Sequence, residues 1–263
     1  MDNISVIILA GGKGTRIAEE SEFRPKPMIK IGGKPIIWHI MKIYAQYGYS
    51  DFVICLGYKG EMIKEHFLNY KALNSDFTIT LGDRDRIQVH SNNSEDHWTV
   101  TLADTGLEAQ TGSRLKKVER YIDSDLFMLT YGDGVADINI DELIAFHKSH
   151  KKIGTLTGVH PSSRFGELLV DGKQIIKFAE KPNVTEGHIN GGFFVFDKRI
   201  FSYLKEDESS VLEKAPLENL AIDGELMLYT HDGFWQCMDT MRDMSLLNSL
   251  WKNNQAPWKI WEE

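Results

Sequence analysis

The chain has 263 residues, 42% of them hydrophobic and 26% charged, with a formal net charge of -8 at pH 7. That length can bury a full core within one large α/β domain, and the composition is that of a globular protein rather than a fibrous or disordered one. The negative balance excludes a surface built broadly for nucleic acid or anionic lipid, so any anion site must be local. Cys55 and Cys237 lie far apart and in no metal-binding spacing, which points to a reducing, cytoplasmic setting. The first apolar run has no basic lead and is too short for a signal or a membrane span, so no membrane contact is expected.

In chain order, Val6 to Ala10 is a short apolar run that ends in glycines, the pattern of a buried parallel strand. Gly11, Gly12 and Gly14 then allow a tight turn whose amides can cradle an anion, and Lys13, Arg16 and Lys26 add positive charge beside it. Leu9 to Arg16, with Lys26, is therefore read as a triphosphate site at the carboxyl end of the first strand. It has neither the later glycine of a dinucleotide fingerprint nor the Gly-Lys-Ser/Thr of a P-loop.

Pro35 opens and Gly48 closes a helix whose apolar face is Ile36, Ile40, Ile43 and Tyr47. Phe52 to Leu56 is the next strand, and Glu61 to Tyr70 the next helix. Such alternation implies a parallel sheet with right-handed crossovers. Phe77 to Leu81, Ile87 to His90 and Trp98 to Ala103 then alternate as strands among polar turns, forming a small β excursion of hairpin or lid character. Asp83-Arg-Asp85 is read there as a solvated turn rather than a metal motif. Gly112 to Tyr121 reads as a basic helix, and Leu126 to Thr130 as a strand running into Gly132-Asp133-Gly134.

Ile140 to His150 reads as a helix, and Ile153 to Val159, Glu167 to Val170, Ile175 to Ala179 and Phe193 to Phe196 as strands. Lys198 to Leu204 and Leu212 to Ile222 have helical patterns, Leu226 to Thr230 is a strand, and Met241 to Trp251 is a closing helix. No linker interrupts residues 1–263, which are expected to form one domain with a nucleotide half to about 135 and a sugar half beyond it.

Leu-Ala-Gly-Gly-x-Gly-Thr-Arg followed by Pro25-Lys-Pro27 resembles the signature of sugar-1-phosphate nucleotidylyltransferases. The resemblance continues through Tyr131-Gly-Asp-Gly134, Glu180-Lys-Pro182, Asn190-Gly-Gly192 and Trp235-Gln-Cys-Met-Asp-Thr240, in the family's order. The Gly33 to Ile40 and Gln255 to Lys259 stretches look like its cytidylyl branch, which acts on glucose 1-phosphate and CTP.

The fold this implies is α/β, a mainly parallel Rossmann-like nucleotidyltransferase sheet flanked by helices. The implied catalytic residues are Arg16 and Lys26. Asp133 and Asp239 are implied to hold Mg2+, although either alone also fits a turn former or helix cap. Glu180, Lys181, Asn190 and Gly191 are implied to take the sugar phosphate. Thr111, Ser113 and Arg114, with Gly132, complete the nucleotide site, with Arg114 either donating to the cytosine edge or lying on a solvated helix face. The same chemistry with UTP or dTTP, a glycosyltransferase, and a non-catalytic sensor are the alternatives. The resemblance also suggests a homo-oligomer that makes precursors of cell-surface polysaccharide.

Overall fold

The computed structural model describes residues 4–82, 87–90, 95–160, 167–171, 174–179 and 187–262, with backbone alone for 167–171 and 174–179. Its centre is a seven-stranded sheet of β1 (Val6–Leu9), β2 (Asp51–Leu56), β3 (Thr99–Asp104), β4 (Leu126–Tyr131), β5 (Gly154–Val159), β6 (Ile189–Asp197) and β7 (Leu226–His231). The strands lie in the order β7-β5-β6-β4-β1-β2-β3. Only β6 runs against its neighbours β4 and β5; the other pairings are parallel. The expected α/β fold is therefore present.

Both faces of the sheet are buried, which is why its strands read as unbroken apolar runs. Successive side chains alternate between two cores. Val6, Ile8, Phe52 and Ile54 pack on one face, and Ile7, Leu9, Val53 and Cys55 on the other. The helices Ile36–Gln46 and Ile140–His150 cover the first face. Leu115, Phe201, Leu217 and Leu220 cover the second.

Several elements differ from the sequence reading. The Trp98 to Ala103 run is not part of a surface excursion. It forms β3, the sheet edge, because Thr99 to Asp104 pair in parallel with Asp51 to Leu56. The excursion reduces to the hairpin Phe77–Ile79 with Ile87–Val89, and Asp83 and Asp85 lie outside the described residues. The expected helix from 112 to 121 is Thr111–Lys117 followed by a single 3-10 turn, Glu119–Tyr121, and it is embedded rather than superficial. Lys198–Tyr203 is likewise 3-10, and Pro35 precedes the helix that starts at Ile36. β6 extends from Ile189, so Asn190 and Gly191 are strand residues. Among the described residues no helix is long and apolar enough to cross a membrane.

Two stretches that carried the resemblance pack on one another. His39 is fully buried, and its Nε2–H donates to Ile31 O at 2.9 Å while Nδ1 accepts from Trp258 Nε1 at 3.4 Å. Trp251 and Trp261 flank the same ring. Both ring nitrogens are thus satisfied by the neutral tautomer, and burial pushes the His39 pKa down to about 4 despite the hydrogen bond to Ile31.

His39 is neutral in the folded chain where an unfolded chain already binds a proton. Stability is therefore retained above the ordinary histidine pKa of ~6.5 and falls as pH drops toward about 4. Urea unfolding at pH 7 and pH 4.5 is expected to show a loss of ~2–3 kcal/mol from this residue. His39→Gln should flatten that part of the pH dependence.

Candidate active site

The site lies at the carboxyl ends of β1 and β4, where the crossovers diverge toward opposite edges of the sheet and leave a crevice. The chain leaving β1 is pinned by Ala10 N donating to Cys55 O at 3.0 Å and by Tyr58 N donating to Gly11 O at 3.1 Å. Gly14 has φ 64°, a left-handed conformation that favours glycine, and it starts the 3-10 turn Thr15–Ile17. The chain leaving β4 is held by Gly132 N donating to Leu9 O at 3.0 Å. A Cβ on Gly132 would stand 2.9 Å from that same oxygen.

Between these turns is a cavity of about 530 Å³. It is lined by Leu9 to Arg16, Lys26, Glu108 to Thr111, Arg114, Gly132, Asp133 and Asp239, among others. Nearly all the residues expected at the nucleotide therefore converge. Ser113 is the exception. It is fully buried, its backbone N–H donates to Ser210 O at 3.1 Å, and it does not reach the cavity. Glu180 and Lys181 lie outside the described residues.

A short antiparallel ribbon brings the two aspartates together. Gly134 pairs with Cys237, and Met238 N donates to Asp133 O at 2.8 Å. Thr240 then caps the helix Met241–Lys252 in a reciprocal box with Asp243, whose carboxylate also accepts from Asp239 N at 3.1 Å. The backbone of Asp239 is thereby fixed. Lys26 Nζ donates to Asp133 Oδ2 at 2.6 Å and to Asp239 Oδ1 at 2.6 Å, and Arg16 donates to Asp239 Oδ2 at 2.8 Å.

Burial works to lower the Lys26 pKa, but Asp133 and Asp239 outweigh it and hold the pKa above the ordinary lysine value. Burial likewise works to raise the pKa of Asp239, and Lys26 and Arg16 outweigh it, so Asp239 titrates below the usual carboxylate range. Two carboxylates that share one cation aim at a common point. Their all-oxygen donor set is of the kind that hard divalent cations take. The residues therefore fit a magnesium ion.

The sequence reading missed Tyr131 and Glu213. Tyr131 Oη donates to Glu213 Oε1 at 2.5 Å, Thr111 Oγ1 donates to Glu213 Oε2 at 2.6 Å, and Asn190 Nδ2 donates to Tyr131 Oη at 3.0 Å. Asn190 is in this way wired to Thr111 across the cavity wall. No local signal marked Glu213, which looked like one more acidic residue of a helical stretch.

Arg114 does not lie on a solvated helix face, the second of the two places foreseen for it. It is 4% exposed. Its guanidinium donates to the carbonyls of Gly11, Leu56, Gly106 and Leu107 at 2.8–3.3 Å, and to Thr105 Oγ1 at 2.7 Å. A Cβ on Gly11 would collide with it. Arg114 ties the loop after β1 to the end of β2 and to the loop after β3.

Residues 5–255 match the family model described as Nucleotidyl transferase. The chain belongs to that family. It is 49% identical over 260 residues to the glucose-1-phosphate cytidylyltransferase of Salmonella typhi, covering 98% of this chain and 100% of that one. It is 30% identical to a mannose-1-phosphate guanylyltransferase catalytic subunit beta from Dictyostelium discoideum, covering 94% of this chain and 66% of the relative. Among solved structures, HddC from Yersinia pseudotuberculosis superposes with a TM-score of 0.67 at 21% identity, over 94% of this chain and 99% of that one. The inositol-1-phosphate CTP transferase of T. maritima does so with a TM-score of 0.62 at 17% identity, over 94% and 95% of the two chains. These two share the fold.

Arg114→Ala removes several charge-assisted bonds, each worth ~1.5–3 kcal/mol. Denaturant unfolding of the variant is expected to show a loss of at least ~3 kcal/mol. The ratio of kcat/KM for CTP to that for UTP is expected to stay as in the native chain, because the bonds of the Arg114 guanidinium run to groups of the protein itself.

Proposed function

We propose that this chain transfers the cytidylyl group of CTP to glucose 1-phosphate, releasing pyrophosphate and leaving CDP-glucose. The observation that carries the reading is the convergence of Arg16, Lys26, Asp133 and Asp239 on one glycine-walled cavity, in a chain nearly half identical to a glucose-1-phosphate cytidylyltransferase along its length. A glycosyltransferase receives its donor already made and has no use for so many charges placed for a triphosphate.

A phosphate oxygen of glucose 1-phosphate attacks the α-phosphorus of CTP. The new P–O bond forms as the α–β anhydride breaks, and pyrophosphate leaves with the bonding electrons. The attacking group, with a second pKa of ~6, is already ionised near neutral pH, so no residue need act as a general base. The protein's contribution is positioning and charge.

The turn of residues 11–15 cradles the triphosphate with backbone amides. Arg16, whose side chain is 76% exposed at the mouth, reaches the leaving phosphates, and Lys26 faces the α-phosphate from the floor. Asp133 and Asp239 would hold magnesium, which would supply charge neutralisation at the phosphates. Asn190, set by Tyr131, with Glu180 and Lys181, receives the sugar phosphate. Glu108, Gln110 and Thr111 line the side of the cavity expected to take the base. Cys55 and Cys237, both free thiols, are in keeping with a cytoplasmic location.

Pyrophosphate release from glucose 1-phosphate should be fastest with CTP among the four nucleoside triphosphates. A preference for UTP or dTTP would overturn the cytidylyl reading and leave the reaction class standing. Asp133→Asn and Asp239→Asn should each lower kcat by at least ~10²-fold, on the scale of losing one electrostatic partner of the reacting charge. EDTA should abolish turnover of the native chain. Lys181→Ala should raise KM for glucose 1-phosphate far more than KM for CTP; equal effects on both would remove Lys181 from the sugar phosphate.

A further inference from the structure

A second cluster of chemical groups lies at the corner where β5, β6 and β7 meet. Val159, the last residue of β5, pairs with Ile189 of β6 and with His231 of β7. The segments next to these residues carry His160, His188 and Asp232. One potential ligand atom from each lies within 4.8 Å of the other two. His160 Nε2 is 3.1 Å from Asp232 Oδ1, and the two imidazole rings are 4.5 Å apart.

Two further observations mark the corner. Gly158 makes room for the approach, since a Cβ there would stand 3.0 Å from the Cβ of His188. His160 Nδ1 is buried and has no hydrogen-bond partner among the described residues. None of the three residues lines the nucleotide cavity.

We propose that His160, His188 and Asp232 form a binding site for a divalent transition cation of the zinc type. Two imidazoles and one carboxylate make a donor set of intermediate softness. It suits zinc and its first-row neighbours, whereas magnesium takes oxygen ligands such as those of Asp133 and Asp239. Three protein ligands leave a fourth position to water. Bonds of ~2.0–2.2 Å require ligand atoms ~3.4 Å apart in a tetrahedron, so the group must draw in from its present spread. His188 and Asp232 are exposed and can turn to do so. The cation fastens the end of β5 and the end of β7 to the start of β6, two residues before Asn190. This inference does not depend on which nucleotide the chain uses.

The test is zinc binding by the full chain, stripped of metal and held in excess magnesium so that the acidic pair is saturated. Competition against a chromophoric chelator should show one zinc per chain that magnesium does not displace. His160→Ala and His188→Ala should each weaken that zinc by at least about tenfold, the lower end of what even outer-shell partners cost. Asp239→Asn should retain it. Zinc should raise the melting temperature of the native chain and leave that of the double histidine variant unmoved. Circular dichroism of the variants checks that each is folded. The proposal fails if the native chain binds no magnesium-resistant zinc, or if the histidine variants bind it as well as the native chain. It fails equally if Asp239→Asn is the variant that loses it.

Discussion

One ammonium holds the site together. Lys26 Nζ stands 2.6 Å from carboxylate oxygens of both Asp133 and Asp239, residues more than a hundred positions apart in the chain. Two carboxylates aimed at one point repel each other, and leaving them unpaired in a half-buried cleft is costly. The lysine offsets that cost before any substrate arrives. Arg16 adds a second positive group to Asp239 from the solvent side. The result is a cluster of charges set in place ahead of the substrate, which is the condition for stabilising a reaction whose negative charge moves between phosphates.

Rigidity in the cluster is built from backbone, not from the charges. The Gly134–Ala136 and Trp235–Cys237 ribbon sets Asp133 against Met238, and Asp243 fixes Thr240 and the amide of Asp239. Arg114 does the equivalent for the phosphate loop, tying carbonyls of the loops after β1 and β3 and of the last residue of β2 to a single guanidinium. A basic residue here serves the fold by cross-linking segments whose buried carbonyls, Gly11 O and Leu56 O, also accept from Tyr58 N and Thr105 N. The Tyr131–Glu213 pair links the nucleotide side to Asn190 on the sugar side. Burial, and next the Glu213 carboxylate, push the Tyr131 pKa upward, so the phenol stays a neutral donor in that link.

Much of this was legible in the sequence because the signals are local. An apolar run ending in Gly11-Gly12 can only be a buried strand feeding a tight turn, and Lys13, Arg16 and Lys26 announce an anion wherever the chain later goes. The strands at 52–56, 126–130 and 226–230 were readable for the same reason. What failed were places where distant partners decide. Thr99 to Asp104 alternates like an exposed strand, yet pairing with β2 makes it the sheet edge. Arg114 reads from its segment as a base contact or as a solvated helix residue, yet it is buried and its partners include carbonyls of the loops after β1 and β3 and of the end of β2. Ser113 shares a segment with Thr111 but points away from the cavity.

The sequence by itself determined the fold class and the phosphate turn, because strand periodicity, glycine conformational freedom and fixed charge are properties of short stretches, whereas the two aspartates were marked only by the family resemblance. Only the tertiary structure decided that Lys26 joins the aspartates, that Glu213 links Thr111 to Tyr131, and that His160, His188 and Asp232 meet at one corner. Those are contacts between residues far apart in the chain. Their existence depends on sheet order and register, which the packing of the whole molecule settles and no window of sequence contains.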